Sequence, residues 1–92
     1  MTVLSPTEIS SCLSAVPMWR IEAGELTRTF QFDGFRAAMK FVNELAELAE
    51  EAGHHPDIDI RYSRVRLSLV SHDAGGLTGK DFDLAAAADK LV

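Results

Sequence analysis

Two stretches of alternating apolar and polar residues predict two β-hairpins in this chain. Residues 26–32 have a period of two, which is typical of a strand with one buried face. Residues 19–23 precede them across a short gap that contains a glycine, and this spacing favours a hairpin. Residues 58–62 and 65–70 alternate in the same way, so we expect a second hairpin there.

Two helices are predicted before the second hairpin. The first covers residues 5–15, because a Ser-Pro-Thr-Glu opening places proline in the first turn, and Pro17 ends it. The second is long, with Asp33 as its expected N-cap and Gly53 where a left-handed C-cap is expected. Its apolar stripe, at spacings of three and four, consists of Phe35, Ala38, Met39, Val42, Leu45, Ala46 and Ala49.

A third helix is predicted near the end of the chain. Thr78 and Asp81 have the spacing of a capping box, and the helical pattern continues to Leu91. The expected order is therefore α-β-β-α-β-β-α. Two hairpins around a long helix favour the α+β class, with an antiparallel sheet and helices on one face. Residues 1–92 are expected to form a single domain, because chains of this length rarely divide.

The charge balance and the cysteine content narrow the classes of function. Nine basic and fourteen acidic residues give a net charge of −5, which disfavours direct binding to nucleic acid or to anionic membranes. The chain contains one cysteine, Cys12, so we expect a reducing compartment. The first residues lack a signal-peptide pattern, and no run of 18 apolar residues is present. We therefore expect a soluble cytoplasmic protein.

The candidate chemistry lies in three histidines, His54, His55 and His72. If the second hairpin pairs as predicted, the chain returns His72 to the edge that His55 left, and three imidazoles line one mouth of the sheet. Imidazole both donates and accepts protons near neutral pH, with an unperturbed pKa of about 6.5. Elimination of water needs such an acid and such a base. The simpler alternative is that these histidines are surface or capping residues.

A metal site is a second interpretation of the same histidines. Asp57, Asp59 and Asp73 lie close to them in sequence, and zinc accepts histidine and carboxylate ligands. Adjacent histidines fit one tetrahedral ion poorly, however, and the chain has no CxxC or HExxH motif. We therefore expect neither a metal nor another cofactor, with metal binding kept as an alternative.

The spacing of the motifs resembles that of a known family. Residues 50–56 read Glu-Glu-Ala-Gly-His-His-Pro, and residues 71–81 read Ser-His-Asp-x-x-Gly-Leu-Thr-x-x-Asp. His55 and His72 are 17 positions apart (72 − 55), and Asp81 follows His72 by 9 (81 − 72). Together with Trp19 and the pattern of residues 26–32, these features closely resemble the pterin-4a-carbinolamine dehydratases, also called 4a-hydroxytetrahydrobiopterin dehydratases.

This resemblance implies a four-stranded antiparallel sheet with three helices packed on one face. It also implies that a 4a-hydroxytetrahydropterin loses water to give the quinonoid dihydropterin during tetrahydropterin recycling. By match to the family motif, His54, His55 and His72 are the catalytic candidates. We assign His54 and His72 as acids that face the 4a-hydroxyl, and His55 as the group that handles the N5 proton or fixes the ring. The hydroxyl can lie on either face of the pterin, so acid and base remain interchangeable.

The resemblance also implies supporting residues and partners. Glu50 and Asp81 match acidic family positions that orient other groups or cap helices, and the backbone near residues 71–73 is placed to hydrogen-bond the pterin edge. The implied substrate-binding residues are Glu50, Pro56, Ser71, Asp73 and Asp81. Ile58 stands where some members have tryptophan, which removes an aromatic wall but no proton-handling group.

Three kinds of partner are expected. The substrate is a small pterin, and the chain is expected to form a homodimer or homotetramer, since pairing edge strands across a twofold axis covers them. A functional link to an aromatic amino acid hydroxylase is also implied. The alternative function is a non-catalytic dimerisation or assembly partner of another protein. Some relatives that have lost the histidines serve only that role, whereas this chain keeps all three.

Overall fold

The helices and strands follow one another in the predicted order in the computed structural model, which describes residues 2–92. The elements are α1 (Pro6–Leu13), β1 (Arg20–Glu22), β2 (Glu25–Gln31), α2 (Phe35–Ala52), β3 (Asp57–Arg61), β4 (Arg64–Leu69) and α3 (Gly79–Asp89). A short 3-10 turn, His72–Ala74, lies between β4 and α3. Among residues 2–92, no helix is both long and apolar enough to cross a membrane.

The four strands form one antiparallel sheet in the order β1-β2-β4-β3. In β4, which lies between β2 and β3, Val65, Leu67 and Leu69 are buried, whereas Arg64 and Arg66 are exposed. The buried set packs into one core with side chains of the helices. The apolar face of the sheet therefore packs against the helices, and the polar face does not. The predicted α+β fold is confirmed.

Helix α2 packs on the sheet through part of the predicted stripe, with one aromatic residue added to it. Its buried residues are Ala38, Phe41, Leu45 and Ala49. Phe35 is 51% exposed and Ala46 is also exposed, so both were wrongly assigned to the buried stripe. Phe41, which the predicted stripe omitted, lies 4.6 Å from Phe30 of β2 between ring centroids. The helix presents the side that carries this aromatic contact, and sequence spacing alone did not distinguish it from the neighbouring side.

Of the three caps predicted for α2 and α3, two are confirmed and one is wrong. Gly53 adopts the left-handed conformation, with φ +61°, and ends α2 as expected. Thr78 and Asp81 form the expected capping box at the start of α3. Asp33 is not the N-cap of α2, because the helix begins one residue later. Gly34 occupies the N-cap, and its carbonyl accepts the first helical hydrogen bond from the Ala38 N–H at 3.2 Å.

The last turn of α3 is attached to the sheet by a carboxylate. Asp89 Oδ1 accepts hydrogen bonds from Trp19 Nε1 at 2.8 Å and from an Arg28 guanidinium nitrogen at 2.6 Å. The Arg28 guanidinium also lies over the Phe30 ring, 4.1 Å from its centroid. These contacts fix the direction of α3, whose first turn lies at the candidate site.

Strand β3 is an edge strand of the predicted second hairpin, and its alternating pattern does not bury one face. All five of its residues are exposed, including Ile58 and Ile60, each 37% exposed. These two isoleucines pair with Leu67 and Val65, which are buried. The predicted hairpin is therefore present, but the helices cover β4 and leave the apolar face of β3 open.

Candidate active site

A cleft of about 530 Å³ contains all three histidines in its lining. His54 and His55 follow the end of α2, and His72 begins the 3-10 turn after β4. The antiparallel pairing of β3 with β4 places Asp57 opposite Ser68, so the chain before β3 and the chain after β4 lie at the same edge. The expected juxtaposition of the three imidazoles is therefore present.

The end of α2 determines the position of His54. The Gly53 N–H donates to the Glu50 carbonyl at 3.2 Å, and the His54 N–H donates to the Ala49 carbonyl at 3.1 Å. This pattern closes the helix around a left-handed glycine and uses carbonyls that would otherwise lack partners. His54 is thus attached directly to a rigid helix end, and its side chain is only 12% exposed.

Asp81 orients the imidazole of His54. The distance from His54 Nε2 to Asp81 Oδ1 is 2.6 Å, and the Asp81 side chain is fully buried. The other oxygen, Oδ2, accepts hydrogen bonds from Ser71 Oγ and from the Thr78 N–H, both at 2.9 Å. A carboxylate only accepts, so we assign the proton of this contact to His54 Nε2. Nδ1 is then the ring nitrogen left to exchange a proton in the cleft.

A chain of hydroxyl groups completes the surroundings of Asp81. Ser71 Oγ lies 2.8 Å from Thr78 Oγ1, and both residues are buried. Since the Ser71 hydroxyl donates to Asp81, Thr78 donates to Ser71. The network connects the end of β4 with the start of α3. The Ser71 hydroxyl proton is donated to Asp81 and is therefore not available to a bound molecule.

His55 is oriented by a different and more exposed carboxylate. Its Nε2 lies 2.5 Å from Glu50 Oε2, one turn back on α2. The two side chains are 63% and 72% exposed, respectively. Exposed pairs of this kind contribute little to stability. The contact therefore orients the His55 ring rather than stabilising the fold.

His72 is held through its backbone. It is the first residue of the 3-10 turn, which Gly75 ends in a left-handed conformation with φ +80°. The Gly75 N–H donates to the His72 carbonyl at 3.1 Å. The His72 side chain is exposed, and within residues 2–92 neither of its ring nitrogens has a hydrogen-bond partner. Its imidazole is thus available to a bound molecule.

The expected binding residues divide into two groups. Ser71 and Asp73 line the cleft, whereas Glu50, Pro56 and Asp81 do not. Glu50 and Asp81 contact the histidines instead, and Pro56 lies just before β3. The lining residues that the sequence interpretation missed are Gly53, Val70, Ala74 and Lys80. Each of them lies within two positions of a proposed site residue, and this proximity could have identified them. None belongs to the histidine and acidic residue types on which the prediction was based.

Within residues 2–92, the side chains do not form the ligand set that a metal site would need. Among residues 2–92, no three histidine, cysteine, aspartate or glutamate side chains are grouped so that they could hold a metal ion. Asp59 instead contacts Arg61 on the outer part of β3, with Nε 3.3 Å from Oδ1. The groups arranged around the cleft are suited to moving protons, since two imidazoles are oriented by carboxylates and a third is unbonded.

Comparisons with known proteins agree on one family. Residues 2–91 match the sequence profile of the pterin 4 alpha carbinolamine dehydratases. A protein of Acidobacterium capsulatum is 59% identical over 92 residues, with all of both chains covered. A protein of Chloroflexus aurantiacus is 58% identical, with 100% of this chain and 99% of that protein covered. Both are themselves assigned to pterin-4-alpha-carbinolamine dehydratase only provisionally.

Solved structures show the same fold. A crystal structure described as a transcriptional coactivator/pterin dehydratase from Brucella melitensis has a TM-score of 0.94 and 29% identity, and 98% of each chain is covered. A pterin dehydratase-like protein described as a RuBisCO assembly factor in the alpha-carboxysome has a TM-score of 0.65 and 27% identity, over 79% of this chain and 84% of that one. The profile match over residues 2–91 and the close full-length relatives establish that this chain belongs to the pterin-4a-carbinolamine dehydratase family.

Proposed function

We propose that this protein removes water from a 4a-hydroxytetrahydropterin and releases the quinonoid dihydropterin. The observation that supports the proposal best is the convergence of His54, His55 and His72 on one cleft, with carboxylates bound to two of them. This arrangement provides the acid and the base that an elimination of water requires.

In the proposed reaction, the C4a–O bond breaks while the proton on N5 leaves. The electron pair of the N5–H bond becomes the second bond between N5 and C4a, and the departing hydroxide takes a proton from an acid to become water. His54 and His72 are proposed as the acids. His54 would act through Nδ1, because Nε2 is bonded to Asp81, whereas both ring nitrogens of His72 are available. A hydroxyl on the opposite face of the pterin would exchange the roles of acid and base.

His55 is proposed to take the N5 proton or to fix the ring. If its Nε2–H is donated to Glu50, the lone pair of Nδ1 remains to accept a proton. Pro56 restricts the backbone of the preceding residue to extended conformations, which would help to aim His55. Pro56 itself does not line the cleft, so we propose that it positions His55 rather than contacting the substrate.

The turn after β4 is proposed to bind the edge of the pterin. The Ser71 N–H already donates to the Gly76 carbonyl at 3.1 Å. Within residues 2–92, the N–H groups of His72 and Asp73 have no backbone acceptor, as is usual for the first positions of a helical turn. These two amides are therefore the better candidates for hydrogen bonds to the ring.

Stopped-flow absorbance of 4a-hydroxytetrahydropterin decay tests the proposal. The wild-type protein should accelerate decay, and His54→Ala and His72→Ala should each lower the acceleration at least about tenfold, as loss of an acid–base group does. Arg36→Ala, on the exposed side of α2, is a control that should retain full activity. Circular dichroism checks that each variant is folded. Decay no faster than in buffer would overturn the proposed activity.

We place this activity in the recycling of tetrahydropterins. The substrate would come from an enzyme that hydroxylates with a tetrahydropterin, such as an aromatic amino acid hydroxylase, and the product would pass to a reductase. Such an exchange of small molecules requires that the proteins share a compartment, which we propose to be the cytoplasm. Co-expression with a hydroxylase should slow the loss of tetrahydropterin during turnover if this assignment is right.

A non-catalytic role as an assembly partner is the second candidate. One structural relative is described as a RuBisCO assembly factor, which shows that this fold serves such a role in that protein. The His54→Ala/His72→Ala double variant separates the two candidates. A purely structural partner would keep its cellular effect in this variant, whereas a dehydratase would lose it.

A homodimer formed through the β3 edges is proposed as the basic assembly, with a dimer of dimers as the larger form. If two copies pair antiparallel about Ile60, Asp59 faces Arg61 of the partner subunit, and the two Ile60 side chains meet. Such pairing would give hydrogen-bond partners to the unpaired backbone groups of the β3 edge. It would also cover isoleucines that are 37% exposed in the single chain.

A further inference from the structure

The N-terminal arm, residues 2–5, lies against the loop that carries His72. We call residues 71–78 the His72 loop. The Leu4 N–H donates to the Leu77 carbonyl at 2.8 Å, although 73 positions (77 − 4) separate the two residues. The neighbouring Val3 side chain lies close to Gly76. The arm thus joins the His72 loop at two consecutive residues.

The two glycines of the His72 loop differ in what a side chain at each position would meet. Gly75 has a φ of +80°, a backbone conformation that side chains rarely adopt. Gly76 does not have a positive φ, so its backbone alone would accept another residue. A Cβ atom added at Gly76 would lie 3.1 Å from Val3 Cγ1 and 3.6 Å from Val3 Cβ. A side chain at position 76 would therefore require Val3, which is 42% exposed, or the loop to move by a few tenths of an ångström.

The part of the loop that touches the arm also pairs with Ser71. The Ser71 N–H donates to the Gly76 carbonyl at 3.1 Å, and the Gly76 N–H donates to the Ser71 carbonyl at 3.3 Å. Gly76 thus lies between Ser71 on one side and Val3 on the other. A shift of Gly76 would move Ser71, the residue that immediately precedes His72.

Ser71 transmits the position of the loop to a second histidine. Its hydroxyl donates to Asp81, whose other oxygen contacts His54. Leu77 is buried in the core, and Thr78 donates its N–H to Asp81. The arm therefore contacts a segment that contains His72 and that also positions His54 through its hydrogen bonds to Asp81.

We propose that the N-terminal arm is a positioning element of the candidate active site, with Val3 and Leu4 holding the His72 loop so that His72 faces the cleft. The effect on catalysis rests on the proposed dehydratase function, but the positioning of His72 does not. Neither Val3 nor Leu4 lines the cleft, so their contribution acts through the loop.

Substitutions on both sides of the close contact test this proposal. Gly76→Ala should lower kcat with little change in KM, because the added Cβ lies 3.1 Å from Val3 Cγ1 and moves the loop by a few tenths of an ångström, and misplacing a catalytic group by about 1 Å costs up to about 100-fold. The Val3→Ala/Gly76→Ala double variant removes the clash and should recover most of the lost kcat. Leu4→Pro removes the N–H donor and should lower kcat in the same way. Gly34→Ala is the matched control, because a Cβ there meets nothing within 4 Å.

Heteronuclear NMR of the histidine rings gives a readout that does not depend on activity. The His72 signals should shift or broaden in Gly76→Ala and in Leu4→Pro, and should return in the double variant, with His55 unchanged throughout. Unchanged His72 signals in Gly76→Ala, or no recovery in the double variant, would overturn the inference. If even the wild type fails to accelerate dehydration, the proposed function fails, and the NMR comparison still decides the role of the arm. If Leu4→Pro does not fold, the Val3 and Gly76 variants decide the outcome.

Discussion

His54 and Asp81 are 27 positions apart in the chain, and their side chains meet at 2.6 Å, with the carboxylate fully buried. One residue follows the end of α2, and the other lies in the first turn of α3. Because Asp81 also accepts hydrogen bonds from Ser71 and Thr78, its position is fixed from three sides. The orientation of the His54 ring is therefore a property of the packing of two helices on the end of β4.

Asp81→Asn should damage both catalysis and stability. The carboxylate accepts from three donors, whereas an asparagine amide has one acceptor oxygen and presents N–H groups to the remaining donors. We expect kcat to fall at least about tenfold through misorientation of His54. Unsatisfied buried donors should cost about 1–3 kcal/mol of unfolding free energy. Stopped-flow kinetics and urea denaturation measure the two effects.

Asp83→Asn is the matched control for that prediction. Asp83 lies two positions further along α3 and is exposed. Surface substitutions of this kind usually change stability by less than about 0.5 kcal/mol. If Asp81→Asn behaved like Asp83→Asn in both measurements, an orienting role for Asp81 would be ruled out.

Glu50→Gln should have a smaller effect than Asp81→Asn. The pair of Glu50 with His55 is exposed, and exposed pairs contribute at most about 1 kcal/mol. We therefore expect kcat to fall less than about fivefold, with unfolding unchanged. The difference from wild type should shrink at high salt, where exposed charges are screened. A loss of kcat as large as that of Asp81→Asn would contradict this ranking.

Ile60→Lys should dissociate the proposed dimer. The substitution places a charge on the apolar face of the β3 edge, where Ile60 is 37% exposed. Light scattering coupled to gel filtration should report a dimer or tetramer for the wild type and a smaller species for the variant. Phe35→Lys, on the exposed side of α2, is the comparison. A monomeric wild type would refute the dimer, and dissociation by Phe35→Lys alone would move the interface to α2.

Glu22→Gln should change how stability depends on pH. The hydrogen bond from Arg20, together with the charges of Arg20 and Arg66, lowers the pKa of Glu22 below its ordinary value of 4.5. A carboxyl group with a lowered folded pKa stabilises the fold in full above the unfolded pKa, and this contribution is lost as the pH falls through the folded value. The wild type should therefore be slightly more stable than the variant at neutral pH, and equally stable in strong acid.

Thermal unfolding from neutral pH to well below 4.5 measures this difference between Glu22→Gln and wild type. The difference should be small and should disappear at high salt, because the Glu22 side chain is 37% accessible and its ion pairs are screened there. Glu25→Gln is the control, as Glu25 has no ion pair in the part of the chain that the structure describes. A difference that does not vary with pH would show that the carboxyl charge is not its source.

The order of the elements could be predicted from the sequence because it depends on local patterns. A period of two specifies strands, a left-handed glycine such as Gly53 ends a helix, and the Thr78–Asp81 spacing begins one. The errors concern faces and neighbours. Phe35 is exposed and β3 has no buried face, because burial depends on which elements pack above a residue, and sequence periodicity does not contain that information.

The candidate site divides in the same way. Chain pattern and family resemblance were enough to nominate His54, His55 and His72, since their residue types and spacing are read directly from the chain. The pairing of His54 with Asp81 and the contact of Val3 with Gly76 were decided by the tertiary structure. These contacts join residues that are distant in sequence, and only the packing of the helices against the sheet brings them within bonding distance.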